Sequence, residues 1–133
     1  MPIENNLLNN KIKTPQKTIG IIGTRRRNSY KDFQLTEQQF LKIYNPNDII
    51  CSGLCPKGGD RFAVMLSKQY KIKSLWFPAN WEKYGRSAGF IRNDDIAKHS
   101  DILIAVVSND RTGGTEDTIK KYLKLGKTDL ILV

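Results

Sequence analysis

The chain has 133 residues, with 22 Lys and Arg against 13 Asp and Glu, a formal net charge of +9, one His and two Cys. That length suits a single domain that buries its own core, and the ordinary apolar and charged fractions exclude wholesale disorder. No apolar run is long enough for a membrane span or a signal peptide, and Cys51 and Cys55 are too few for a disulfide scaffold, so a cytoplasmic protein is the expectation.

In chain order, residues 1–16 stand apart. Asn5, Asn6, Asn9 and Asn10 crowd this stretch, and Leu7, Leu8 and Ile12 show no sustained period, which predicts a mobile N-terminal arm. The remaining residues, 17–133, read as one domain. Apolar, β-branched runs predict strands at Thr18–Ile22, Asp48–Cys51, Ser74–Phe77, Ile102–Val107 and Asp129–Val133. The fourth has no polar alternation, as expected of a strand covered on both faces.

Helical spacing falls between these runs. Phe33, Phe40, Leu41 and Tyr44 mark one helix, and Phe62, Met65, Leu66 and Tyr70 the next. Ile91, Ile96 and Ala97 mark a third; Ile119, Tyr122 and Leu123 mark a fourth, which Gly126 ends. Strand and helix alternate throughout. The expectation is a doubly wound α/β fold, Rossmann-like, with five parallel strands in the order 3-2-1-4-5 and helices on both faces. In such sheets ligands lie beyond the carboxyl ends of the strands, so the loops that follow the strands are where function is sought.

After the first strand come Gly23, Thr24 and Arg25, a glycine turn followed by donors suited to a phosphate. Arg26 and Arg27 continue the run, where solvation is the simpler reading. After the second strand, Ser52, Gly53 and Gly58 lead to Asp60 near a helix start. Asp60 there suits either a helix-dipole partner or an acceptor of ligand hydroxyls such as those of a ribose. Cys51 reads as a small buried hydrophobe, and neither cysteine has a local histidine to make it a nucleophile.

After the third strand, Trp81 and Tyr84 suit either stacking on a base or closing over the core, whereas Trp76 and Phe77 read as core. Arg92 and Asn93 fall about two turns into the following helix, facing either crevice or solvent. After the fourth strand, Arg111, Gly113, Gly114 and Thr115 form a glycine-rich turn feeding a helix N-terminus, a second phosphate-compatible turn. Glu116 and Asp117 are sensible first-turn residues there. His99, the single histidine, closes the third helix; no metal and no cofactor are expected.

Taken together, Gly23-Thr24-Arg25, Cys51-Ser52-Gly53 with Gly58 to Ala63, Phe77 to Trp81 with Tyr84-Gly85, Ala88-Gly89 with Ile91-Arg92-Asn93, and Gly113-Gly114-Thr115 resemble the SLOG superfamily, specifically its YspA/cpYpsA-related branch. The match runs in the family's order across most of residues 17–133. It implies a Rossmann-like domain that senses or processes a nucleotide or nucleotide-derived ligand, such as an ADP-ribose-type molecule, and it allows a homodimer. Two departures stand out. Leu54 occupies a place where the family often has a second glycine. Thr118 occupies the place of the catalytic glutamate of the cytokinin-activating phosphoribohydrolases, so that mechanism does not carry over.

Three functions follow as expectations. The first is nucleotide binding, with phosphates on Gly23 and Gly113 to Thr115, charge from Arg25, Arg92 and Arg111, ribose on Asp60, and the base on Trp81 or Tyr84. The second is cleavage of a nucleotide N-glycosidic bond, for which Asp60, then Glu116 and Asp117, are the candidate carboxylates. The third is single-stranded nucleic acid binding, as the DprA-like branch implies, with the charge of +9 permitting it.

Overall fold

A computed structural model describes residues 15–133. The expected arm, apart from Pro15 and Gln16, lies outside the described residues. The elements run β1 (Thr18–Gly23), α1 (Tyr30–Ile43), β2 (Ile49–Ser52), α2 (Gly59–Gln69), β3 (Ser74–Trp76), a single turn α3 (Trp81–Tyr84), α4 (Ala88–His99), β4 (Ile102–Val106), α5 (Gly114–Lys124) and β5 (Leu130–Leu132). A 3₁₀ turn at Gly85–Ser87 joins α3 to α4. The sheet has five strands in the order β3-β2-β1-β4-β5, and every neighbouring pair is parallel.

The helices divide between the two faces because successive side chains of a strand point oppositely. Ile19 and Ile21 of β1 and Ile104 and Val106 of β4 pack with Phe33 and Phe40 of α1 and Phe62 and Leu66 of α2. Ile22, Leu103 and Ala105 face the other way, onto Ile96 and Ala97 of α4 and Ile119 and Tyr122 of α5. Trp76 joins the first cluster and Phe77 the second, as core side chains.

Local chemistry sets the element ends. Ser29 and Asp32 form a reciprocal capping box at the start of α1. The second strand begins one residue later than the hydropathy pattern suggests. Asp48 is occupied by accepting the backbone N–H groups of Lys17 (3.0 Å) and Asn45 (2.9 Å), which tightens the turn before β2. At the end of α4 the Lys127 ammonium donates to the carbonyls of Ala97, Lys98 and Ser100 at 2.9, 2.7 and 2.8 Å, supplying partners that a helix C-terminus lacks.

Candidate functional site

Connections leave β1 and β4, adjacent in the sheet, toward opposite faces. That divergence opens a crevice at their carboxyl ends. A cleft of about 390 Å³ occupies this position, with Ile22, Gly23 and Ile96 among its lining. Its walls come from the loop after β1 (Thr24 to Arg26), the segment before and into α2 (Cys55, Asp60), one face of α4 (Arg92, Asn93) and the entry to α5 (Thr112 to Thr115, with Thr118).

The entry to α5 is a Gly-Gly turn whose Gly113 adopts φ +102°, and no side chain caps the helix. A Cβ built at Gly113 or Gly114 would meet nothing within 4 Å, so the backbone here is open to an incoming group. The first N–H groups of a helix have no intrahelical partner and carry the positive end of its dipole. This is where an anion is best accommodated.

Arg92 reaches the cleft from α4. Its Nη1 donates to the Gly53 carbonyl at 2.9 Å and its Nε to Asn93 Oδ1 at 3.0 Å. Gly53 is required by this arrangement: a Cβ there would lie 2.4 Å from Arg92 Nη1 and 2.9 Å from Asp60 Oδ2. Asn93 is itself buried and donates through Nδ2 to Asp117 Oδ2 (3.1 Å) and the Gly114 carbonyl (3.4 Å), tying α4 to the α5 entry. Arg92 and Asn93 sit one turn into their helix rather than two. Gly85, at φ +56°, interrupts the helical path, and α4 starts afresh at Ala88.

Asp60 is 6% exposed and lies in the first turn of α2. Burial pushes its carboxyl above the usual carboxylate range, against the backbone N–H of Cys55, which it accepts at 3.1 Å, and the positive charge of Arg92. It is a carboxylate on the cleft wall facing a guanidinium, able to accept hydrogen bonds from hydroxyls. On the opposite wall Arg25 forms no ion pair among the described residues; its Nη2 lies 3.8 Å from Cys55 Sγ.

The other cleft arginine is engaged. Arg26 makes a two-pronged pair with Asp110 at 2.8 and 2.9 Å and also donates to Thr112 Oγ1 at 3.3 Å. The Arg26 contact, then the hydroxyls of Ser108 and Thr112, hold the Asp110 carboxyl well below its ordinary range. Arg27, by contrast, is structural: it donates to Asp32 and to the carbonyls of Val107 and Val133, joining α1 to the ends of β4 and β5.

Of the residues singled out from the sequence, Gly23, Thr24, Arg25, Asp60, Arg92, Asn93, Gly113, Gly114 and Thr115 are brought together around the cleft. The others are placed elsewhere. Ser52 is fully buried and donates its hydroxyl to the Ile21 carbonyl. Gly58 donates its N–H to Asn28 Oδ1 at 2.9 Å and serves the packing of α2. Arg111 pairs with Glu116 at 2.7 Å, and Asp117 with Lys121 at 2.9 Å and with Asn93, so neither carboxylate is left free to face a ligand. Trp81 is 57% exposed and lies beside Gly89 on α4, outside the cleft lining; Tyr84 is likewise exposed.

The structure also brings in residues that sequence reasoning missed or discounted: Arg26, Cys55, Thr112, Ile96 and Thr118. Helical spacing was the available signal for two of them, since Ile96 follows Arg92 by four residues and Thr118 follows Gly114 by four. Leu54 holds φ +60°, a conformation that favours glycine, so the backbone keeps a glycine-like path under a leucine. Cys51 is fully buried beside Ser100 Oγ at 3.3 Å, and burial raises its thiol to about 11. His99 donates through Nδ1 to the Asp95 carbonyl at 2.8 Å and its ring lies 4.8 Å from that of Phe77, away from the cleft lining.

No helix among the described residues is long and apolar enough to cross a membrane. Comparison of the chain with protein-family models, with curated proteins and with solved structures finds no match.

Proposed function

We propose that the cleft binds a nucleotide or nucleotide-derived ligand through its phosphate, with the phosphate on the amides at the α5 entry. The observation that carries this reading is the uncapped Gly113–Gly114 turn, open on its ligand side, in the same cleft as the guanidiniums of Arg25 and Arg92. A helix N-terminus, an arginine with no ion pair among the described residues and a second arginine on the facing wall make a donor set complementary to a phosphate. Asp60 then accepts hydroxyl donors from a ribose. The resemblance to SLOG proteins, seen in the loop motifs, supports the same ligand class. Trp81, exposed at the rim beside Gly89, is available to cover a base that projects from the cleft.

The test is titration calorimetry and native mass spectrometry with AMP, ATP, NAD and ADP-ribose. Arg92→Ala removes a charge-assisted contact of about 1.5–3 kcal/mol and is expected to weaken binding at least tenfold. If Arg92→Ala and Gly114→Val both bind the panel as the unaltered chain does, the cleft is not the site.

A second reading, cleavage of the N-glycosidic bond of a nucleotide, is favoured by Asp60 alone. A carboxylate beside the ribose stabilises developing oxocarbenium charge, and Asp60 is the buried carboxylate on the cleft wall. Release of free base by the unaltered chain, abolished in Asp60→Asn, is the outcome that would place this reading first. A nucleotide whose mass is unchanged after prolonged incubation leaves a binder.

A further inference from the structure

Asp110 is held as a bound anion would be. Its Oδ1 accepts from Ser108 Oγ (2.8 Å), from the Thr112 N–H (3.3 Å) and hydroxyl (2.8 Å), and from Arg26 Nη2 (2.8 Å). Its Oδ2 accepts from Arg26 Nη1 at 2.9 Å. A backbone amide, two hydroxyls and a guanidinium in this arrangement make a donor set of the kind that receives a carboxylate or phosphate. The pair joins the loop after β1 to the loop after β4, the two loops that part at the crevice, and both Arg26 and Thr112 line the cleft. It is also loosely held: the two side chains are 58% and 53% exposed. An exposed pair is weak, whereas a phosphate dianion seated at the neighbouring α5 entry offers the same guanidinium a stronger partner.

We infer that Arg26 is a further ligand-binding residue of the cleft and that Asp110 is its internal competitor, an intramolecular anion that the ligand's phosphate displaces from the guanidinium. The inference rests on the reading of the cleft as a phosphate site. It goes beyond that reading by giving the site a built-in threshold: groups too weakly charged to outcompete Asp110 do not recruit Arg26. Phosphate dianions and diphosphates are thereby favoured over carboxylates and sulfonates of similar size. The coupling is reciprocal, since whatever draws Arg26 onto the ligand also releases the two loops from one another.

The division of labour between the two carboxylate oxygens supplies a clean variant. Asp110→Asn keeps Oδ1 for Ser108 and Thr112, so the loop retains its hydrogen bonds, while it removes the negative charge and the oxygen that accepts from Arg26 Nη1, leaving Arg26 only a neutral contact to Oδ1. The experiment is titration calorimetry with ADP-ribose and with inorganic phosphate on the unaltered chain, Asp110→Asn, Arg26→Ala and the double variant, with melting temperatures recorded for all four.

Expected are binding about two- to fivefold tighter in Asp110→Asn, matching the strength of an exposed pair, weaker binding in Arg26→Ala, and a double variant indistinguishable from Arg26→Ala. Unchanged or weaker binding in Asp110→Asn at an unaltered melting temperature overturns the inference. So does an equal gain from Asp110→Asn in the Arg26→Ala background, because that gain would be general repulsion rather than competition for Arg26. Absence of binding to the unaltered chain overturns the phosphate reading itself, and the inference with it.

Discussion

Two helices of this protein begin alike and end up with opposite surroundings. Both α2 and α5 start at a Gly-Gly pair whose first glycine has positive φ, +79° at Gly58 and +102° at Gly113, and neither is capped by a side chain. At α2 the glycines are jammed against β1: a Cβ at Gly59 would lie 2.1 Å from the Ile22 carbonyl carbon, and one at Gly58 2.3 Å from the Thr24 oxygen. At α5 the same construction faces open space. One glycine pair lets a helix press its backbone onto a strand; the other leaves its amides accessible. Glycine at a strand-to-helix turn therefore does not by itself indicate a ligand, and what stands opposite the missing Cβ decides between the two roles.

The largest effect expected from this contrast is on folding. Gly59→Ala forces a methyl into backbone that cannot move aside, and should cost about 3 kcal/mol or more in chemical denaturation; a variant of near-native stability would show that the two turns are equivalent after all. Gly114→Val should do the reverse. Its unfolding free energy should change by less than about 1 kcal/mol, the scale of a helix-propensity change, while ADP-ribose binding falls at least tenfold as the side chain covers the amides.

Asp60 sharpens the comparison further, because it places a carboxylate in the first turn of the packed helix. Its carboxyl is raised above the unfolded value by burial. The fold therefore gains from the protonated form, and that gain disappears as pH rises through the folded value. Asp60→Asn should accordingly melt higher than the unaltered chain at neutral pH, with the difference shrinking as the pH is lowered from the raised folded value toward the ordinary carboxylate value. A difference that grows on acidification would assign Asp60 a net stabilising charge.

The smallest effect is one of reactivity. Cys51, buried and with its thiol raised to about 11, should resist iodoacetamide at neutral pH, while Cys55 on the cleft wall is alkylated and is protected by a bound nucleotide. Alkylation of Cys51 in the folded protein would contradict its place in the core.

Much of this architecture was legible beforehand. Unbroken β-branched runs such as Ile102 to Val107 can be satisfied by a covered parallel strand, and the regular alternation with helical spacing leaves few topologies once crossovers are right-handed. The register inside the third connection was less legible. The sequence puts Arg92 and Asn93 about two turns into the third helix, but Gly85 interrupts the helical path and α4 starts only at Ala88, which leaves both about one turn from its start. Arginines were the least legible. Arg25, Arg26 and Arg27 are consecutive in the chain, yet one is without an ion pair among the described residues, one is held by Asp110 and one binds carbonyls at the sheet's end.

By itself, then, the sequence determined the order of strands and helices, the faces they bury and the loops that gather at one edge of the sheet, because period and β-branching act over neighbouring residues. Tertiary structure alone decided which Gly-Gly turn is open, which of the consecutive arginines is left without an ion pair among the described residues, and that Ser52 turns inward while Asp60 reaches the cleft. Those outcomes depend on atoms contributed by segments 30 to 84 residues away, as in the contacts of Gly58 with Asn28 and of Arg26 with Asp110. No local pattern encodes the distance between such groups; close packing of the two layers against the sheet fixes it.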